Sequence, residues 1–360
     1  MIVFELRMMG DAVMSLPFVR AAKEKYHVVV CCTPARREVY ETLLPAAQVI
    51  SWEPPWIVED NKYALKRWRN ANWRTLIRQL RAVRAEVTLT MWPDFRVHLL
   101  MALTGARQRI GYPMNEQNYY GHHIPERRKK MKTGRLLSSV AGCLLLRRLL
   151  TEKIDRVSRD QHQVENWRQM AESLSLPWDV GTPWIPPEHL AAPQNGAEER
   201  KGGQSWAWHI GARSAMRRWP VGKVESVVRA HFVTMRKPLL LIASSEDEVP
   251  PSLAELAPVS RPKSFRELCA VVNSVDVLIC NDTGVAHVGA ALGKRVVSIF
   301  SSGEPRWVAP FGNADLVVES KVCPHRPCYD RCVMPSVVCM EAVGTDLVVQ
   351  KLTTLEGRLI

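Results

Sequence analysis

Residues 275–300 read VDVLICNDTGVAHVGAALGKRVVSIF: an apolar run, a polar break, a stretch of small residues and a second apolar run. This arrangement restricts the fold more than any other feature of the chain. Each run is too uniformly apolar to face water, as expected of strands in a parallel sheet covered on both sides. Parallel neighbours require a crossover, and the stretch between them is long enough for one short helix. The same alternation runs through the chain. MIVFEL, HVVVCC, AQVISW and AEVTLT read as buried strands in the first half, with GARQRIGYP a further one. Helices are predicted over Asp11 to Tyr26, with Pro17 near the first turn, over Lys62 to Arg84, and from about His162 to Leu174. In the second of these, Trp68, Leu76 and Leu80 line one face and arginines the other.

Residues 175–204 break the pattern, being rich in Pro, Gly, Glu and Gln without a sustained period, and mark a domain boundary. Alternation then restarts with SWAWHI, a helix from Pro220, PLLLIAS, a helix from Ser264, the 275–300 unit and ADLVVE, and ends in a helix from Asp346 to Leu355. The expectation is an α/β protein of two doubly wound, Rossmann-like domains, residues 1–178 and 205–360, joined by a linker at 179–204 and facing across a cleft.

Composition narrows the class. A chain of 360 residues with 46% hydrophobic and 24% charged content is ordinary for a globular protein. No stretch approaches the roughly 18 to 20 uncharged apolar residues of a membrane span. MIVFELRMMGD carries Glu5 and Arg7 within its apolar run and reads as a first strand rather than a signal peptide. Nine cysteines in such a chain argue against a disulfide framework, and the cytosol is the expected compartment. The net charge of +13 is concentrated: Lys62 to Arg148 holds 19 Lys and Arg against 4 Asp and Glu, a net +15. Such a region is suited to a polyanion: a nucleic acid, an anionic bilayer or a phosphorylated glycolipid.

The polar break needs its own explanation. In doubly wound sheets ligands sit beyond the carboxyl ends of strands, where Asn281 to Gly284 fall. With Asp282 as helix cap, the amides of Thr283, Gly284 and Val285 are the helix's first donors, a positive pole suited to phosphate. A capping carboxylate competes with an anion for those amides, so Asp282 either caps or orients donor groups. Thr283 and His287, four apart, share a helical face. GAALGKR lacks P-loop spacing, and no G-x-G-x-x-G follows a strand.

NDTGVAHVGAALGKRVVSIFSSGEPRWVAPFG resembles the donor-site signature of the ADP-heptose lipopolysaccharide heptosyltransferases, glycosyltransferase family 9. That signature has Asp-Thr-Gly, a His three residues on, an apolar strand, and a Pro-Arg-Trp-like stretch before Pro-aromatic-Gly. RMMGDAVMSLPFVRAAKEKY, GARQRIGYP, HQVENWRQMAESLSLP, WHIGARSAMRRWP and SFRELCAVVNSVDVLICNDTG resemble further family blocks, in order. The resemblance implies a GT-B type fold with an N-terminal acceptor domain and a C-terminal donor domain. It implies inverting transfer of heptose from ADP-heptose to an inner-core sugar of lipopolysaccharide without a required metal or other cofactor. The absence of any Asp-x-Asp agrees with that, and protein donors then have to stabilise the leaving diphosphate.

By the same resemblance Asp11 is the general base, after Gly10 in the turn that follows the first strand. Thr283, Gly284, His287, the loop from Gly211 and Arg217 are expected around the diphosphate, with Asp282 and Glu246 as further donor contacts. Asp247 and Glu248 compete with Glu246 for that role. The family more usually has Lys where this chain has Arg217, His-Pro-Gly-Ala where it has WHIGAR, and a Gly-Pro-Thr-like turn where it has SSGEP. An arginine grips phosphate through a planar fork rather than as a point charge.

On the transferase reading the basic segment meets the phosphorylated acceptor at the anionic inner leaflet, placing the protein peripherally on the cytoplasmic face of the inner membrane. Arg67, Arg69, Arg127 and Arg128 are the acceptor-binding expectation. Cys323, Cys328, Cys332 and Cys339 fall close together around His325 but lack a C-x-x-C pair. No metal is expected there; a tetrahedral zinc or iron site is the alternative. Two rival functions stand beside the heptosyltransferase. One is a same-fold transferase using another nucleotide sugar or a protein acceptor. The other is a basic nucleic-acid-binding protein with a Cys-rich metal module, although nothing resembles a nucleic-acid fold and no nucleic-acid partner is expected.

Overall fold

The structure, a computed structural model, describes residues 1–56, 65–113, 148–181, 183–187, 190 and 205–357. It divides into two compact units, Met1–Val180 and Gly181–Ile360.

In the first unit the strands are β1 (Ile2–Glu5), β2 (Val29–Cys32), β3 (Val49–Ser51), β4 (Val87–Thr90), β5 (Gln108–Gly111) and β6 (Glu152–Lys153). All pair in parallel in the order β3-β2-β1-β4-β5-β6. The main helices among the described residues are α1 (Met9–Met14), α2 (Leu16–Lys23), α3 (Leu65–Arg69), α4 (Trp73–Ala82), α5 (Phe95–Leu103) and α6 (Val164–Ser173). The single helix expected over Asp11 to Tyr26 is two, meeting at Ser15, with Pro17 in the first turn of α2. Pro17 has no amide proton to give, so it fits best where a helical hydrogen bond is not needed. The helix expected from Lys62 is likewise split. Asn72 takes a left-handed φ of 50° between α3 and α4, a conformation open mainly to Asn, Asp and Gly. Leu76 and Leu80 are buried from α4 as expected, while its arginines stay exposed.

The second unit repeats the plan with β7 (Trp206–His209), β8 (Leu239–Ile242), β9 (Val259–Ser260), β10 (Val277–Asn281), β11 (Arg295–Phe300) and β12 (Val317–Glu319). Their order is β12-β11-β10-β7-β8-β9, again all parallel. Its main helices are α7 (Val221–Val227), α8 (Phe265–Asn273), α9 (Gly284–Ala291) and α10 (Thr345–Gly357). The segment expected as a linker contributes to this unit: Trp184 and Ile185 are buried, and the Trp184 amide donates to Ala291 O at 2.6 Å. Residues β7 and β10 bury every side chain, as covered parallel strands must.

In both sheets the strand order reverses between the first and fourth strands, β1/β4 in one and β7/β10 in the other. In folds of this kind ligands bind at such switch points, beyond the carboxyl ends of the strands of each sheet. Helix α9 can lie close on β10 and β11 because Gly289 has no side chain. A Cβ there would stand 2.7 Å from Leu278 Cδ2 and 2.9 Å from Val296 Cγ2.

Candidate active site

At the switch point of the second unit one side chain ties the two strand ends together. Asn281, the last residue of β10, donates from Nδ2 to Ile210 O and Gly211 O, both at 3.1 Å, and its Oδ1 accepts from the Trp219 amide at 3.1 Å. A buried amide satisfied at all three contacts sets the relative position of the loop after β7 and the start of α9. Sequence reasoning placed Asn281 in the polar break but gave it no role.

Asp282 does not cap α9. Thr283 is the N-cap, in extended conformation, and its side chain makes no capping bond. The Thr283 hydroxyl is buried without a hydrogen-bond partner. The amides of Gly284 and Val285 therefore donate to no capping side chain, so no carboxylate cap competes with an anion for them. Asp282 is turned instead toward Arg217: Nη1 lies 3.3 Å from both Oδ2 and the Asp282 carbonyl. The other side of the guanidinium meets Asp330, with Nε donating to Oδ1 at 2.8 Å. Asp330 also accepts from the Ser302 hydroxyl. Burial pushes the Asp282 carboxyl up to about 6; Arg217 opposes the rise, Asp330 adds to it and Arg326 opposes it. His287, 7% exposed, lies on the first turns of α9 beyond Gly284.

Gly211 follows β7 and is required where it stands, since a Cβ would fall 2.1 Å from Asp247 Oδ2. Asp247 is the buried acid of the loop after β8; Glu246 is exposed. The Asp247 carboxylate accepts from the Ser244 amide at 2.9 Å and hydroxyl at 2.7 Å, and lies 3.4 Å from Arg218 Nη2. Arg218, Trp219, Asp247 and Glu248 line a cavity of about 230 Å³ beside this loop. Burial holds neighbouring His209 neutral, its pKa lowered to about 4 against the pull of Asp247.

The loop carrying Asp330 also carries the cysteines. The amides of Cys328 and Tyr329 donate to Ser302 O at 3.1 and 3.0 Å, and Tyr329 and Asp330 take φ of 50° and 64°. Left-handed backbone at a tyrosine is uncommon and is held only where surrounding bonds enforce it. Cys323, Cys328, Cys332, Cys339 and His325 line a cavity of about 10 Å³ behind this loop. Among the described residues no group of three or more His, Cys, Asp or Glu side chains is arranged to hold a metal ion. Cys31, Cys32, Cys269 and Cys280 are buried core residues.

The first unit has its own polar centre at the β1/β4 switch point. Asp11, on α1, accepts from the Met8 amide at 3.1 Å and from Gln163 Nε2 at 2.8 Å. Glu5, fully buried at the end of β1, accepts from Trp92 Nε1 at 3.2 and 3.0 Å and from the Arg7 amide at 3.0 Å. Burial first, then the charge of Asp11, raises Glu5 to about 8 against those hydrogen bonds and Arg7. Glu5 is therefore mainly protonated at neutral pH.

Arg67 and Arg69 are exposed on α3, and Arg74 and Arg78 on α4. Between them Trp52, Trp56, Trp68 and Trp73 form a packed group, with ring centroids from 4.8 Å (Trp52–Trp73) to 5.9 Å (Trp68–Trp73). The Arg96 guanidinium sits 4.7 Å above Trp56. Arg127 and Arg128 lie outside the described residues. No helix among the described residues is long and apolar enough to cross a membrane.

Comparison with known proteins accounts for this architecture. The E. coli heptosyltransferase WaaC with ADP-2-deoxy-2-fluoro heptose is similar over 98% of each chain, at 15% identity and a TM-score of 0.63. A family 9 glycosyl transferase from Veillonella parvula DSM 2008 is similar over 98% of this chain and 96% of its own, at 15% identity and a TM-score of 0.67. The iron-containing dodecameric glycosyltransferase TibC of enterotoxigenic E. coli H10407 is similar over 100% of this chain and 76% of its own, at 13% identity and a TM-score of 0.52. No curated protein sequence matches the chain. At these identities the likeness establishes the fold, of the two-domain GT-B type. The sequence profile of glycosyltransferase family 9 (heptosyltransferase) matches residues 127–337, more than half of the chain. The chain belongs to that family and is a glycosyltransferase.

Proposed function

We propose that the protein transfers a heptose from ADP-heptose to an inner-core sugar of lipopolysaccharide, with inversion at the anomeric carbon and without a required metal. The observation that carries this reading is the start of α9, where uncapped amides at Gly284 and Val285, the Thr283 hydroxyl and the Arg217 guanidinium gather at a strand switch point. Backbone donors and a cation are what a departing diphosphate needs when protein groups stabilise it. WaaC has been solved with ADP and with a fluorinated ADP-heptose, which supports ADP-heptose as donor here.

In the proposed reaction Asp11 accepts the proton of an acceptor hydroxyl as its oxygen attacks the anomeric carbon. The bond from that carbon to the diphosphate oxygen breaks with its electron pair, and ADP leaves toward the α9 amides and Arg217. Attack opposite the leaving group inverts the configuration. The cationic surface of α3 and α4 serves the acceptor, whose phosphates lie at an anionic leaflet, and places the enzyme peripherally on the cytoplasmic face.

Thermal shift with ADP, UDP and GDP tests the donor, since a ligand stabilises only the state that binds it. ADP is expected to give the largest shift; a larger one from UDP or GDP would assign the chain to another nucleotide sugar. Turnover of ADP-heptose with defined truncated core acceptors tests the acceptor. Transfer to a protein instead of any of these sugars would replace the lipopolysaccharide reading.

A further inference from the structure

We propose that Gln163 is a positioning residue for Asp11, holding the carboxylate in the orientation from which it takes the acceptor proton; the inference rests on Asp11 being the base. Gln163 occupies the N-cap position of α6, where a polar side chain ordinarily bonds the first amides of its own helix. It makes no such bond. Its Nε2 instead donates at 2.8 Å to Asp11 Oδ1, 152 residues away in the chain.

The donor is itself anchored. Gln163 is 2% exposed, and its backbone carbonyl accepts from Asn166 Nδ2 at 3.0 Å, fixing the chain from which the side chain reaches Asp11. Asn166 Oδ1 accepts from Tyr112 Oη at 2.9 Å and from the Val157 amide at 3.3 Å. Asn166 and Tyr112 are both fully buried. The polar chain Tyr112–Asn166–Gln163–Asp11 thus ties the acid to the end of β5 and the start of α6, and packing of Phe18 on Trp167, at 5.2 Å, holds α2 against α6. Buried hydrogen bonds of this sort restrict the motion of the groups they join.

The chemistry of the donor also fits a base. Asp11 already has a local partner in the Met8 amide, which meets the needs of the α1 turn. A second bond from a neutral amide fixes the other oxygen while adding no positive charge. Lysine or arginine in its place would fix the carboxylate and lower its basicity. Each oxygen of Asp11 keeps a further acceptor site after these two bonds.

The test is steady-state kinetics of Gln163→Met and Gln163→Glu beside Asp11→Asn, with the folded fraction and Tm of each measured. Gln163→Met keeps the length of the side chain and removes the donor. Its kcat is expected to fall roughly 10- to 100-fold, as for a slightly misplaced catalytic group, with the donor KM and the ADP thermal shift unchanged. Gln163→Glu sets a second carboxylate against Asp11 and is expected to fall further. If Gln163→Met retains kcat within about twofold while Asp11→Asn is inactive, the positioning role is wrong and the base survives. An active Asp11→Asn removes the base and this inference together. Losses of kcat in both Gln163 variants that merely track a loss of folded protein also overturn it.

Discussion

Arg217 holds two acids at once: its Nε donates to Asp330 Oδ1 at 2.8 Å and its Nη1 stands 3.3 Å from Asp282 Oδ2, on loops 113 and 65 residues away in the chain. The guanidinium is a fork already half engaged. Asp282 and Asp330 orient it beside the start of α9.

Arg217→Ala is expected to weaken ADP binding roughly 10- to 100-fold, the value of one or two hydrogen bonds to a charged group. Arg217→Lys restores the charge without the fork and should recover only part of it. Titration calorimetry with ADP decides this; affinity unchanged in Arg217→Ala would take the guanidinium out of the donor site.

Asp282 makes that affinity depend on pH. Its carboxyl is raised to about 6 by burial, so it is mainly charged at pH 7.5, where it would repel a diphosphate, and mainly neutral below about pH 6. Comparing Asp282→Asn with the parent cancels the titration of ADP itself. The variant is expected to bind ADP more tightly at pH 7.5, with the ratio of affinities falling toward one as pH drops below about 6. For stability the same raised pKa has the folded state holding the extra proton between about 4 and 6, so folding is favoured less as pH rises through that window. A ratio that does not change with pH would show that Asp282 does not titrate there.

Glu5 predicts a second pH effect, in stability. A glutamate of the unfolded chain ionises near about 4.3, whereas buried Glu5 does so at about 8. Between those values the folded state binds the extra proton. Stability contributed by the neutral acid is full below the lower value and declines as pH rises toward 8. Glu5→Gln mimics the protonated side chain and keeps an acceptor for Trp92 Nε1. Its Tm should vary less than the parent's between about pH 5 and 8. Parallel Tm curves for the two proteins would mean that Glu5 is charged throughout.

The cationic surface of the first unit is tested by Arg67→Glu with Arg69→Glu. Reversing two exposed charges on α3 is expected to raise the acceptor KM several-fold and to weaken cosedimentation with vesicles containing anionic lipid, while leaving the donor KM and Tm unchanged. Unaltered acceptor KM and vesicle binding would return this surface to ordinary solvated charge.

How much of this was legible beforehand differs between fold and site. Runs such as VLICN and RVVSIF declare themselves as covered strands because both faces of a parallel sheet are dry, and that depends only on local composition. Helices were placed well where a cap was local, as at Ser264, whose hydroxyl accepts from the Glu267 amide at 3.1 Å. They were run together where a single break decided the outcome, at Ser15 and at Asn72. Family motifs marked Asp11, Arg217 and Thr283, but not their surroundings.

Local sequence, then, carried the two α/β domains, the family and the reactive residue types, because apolar periodicity and short motifs are properties of neighbouring residues. Folding in three dimensions settled which groups are engaged: Asp247 rather than Glu246 turns inward, Thr283 rather than Asp282 takes the N-cap position of α9, Asp330 meets Arg217, and Gln163 reaches Asp11. Those pairings join segments as far apart as 152 residues. They come from loops converging at the strand switch points, and no pattern in adjacent residues encodes which loops converge.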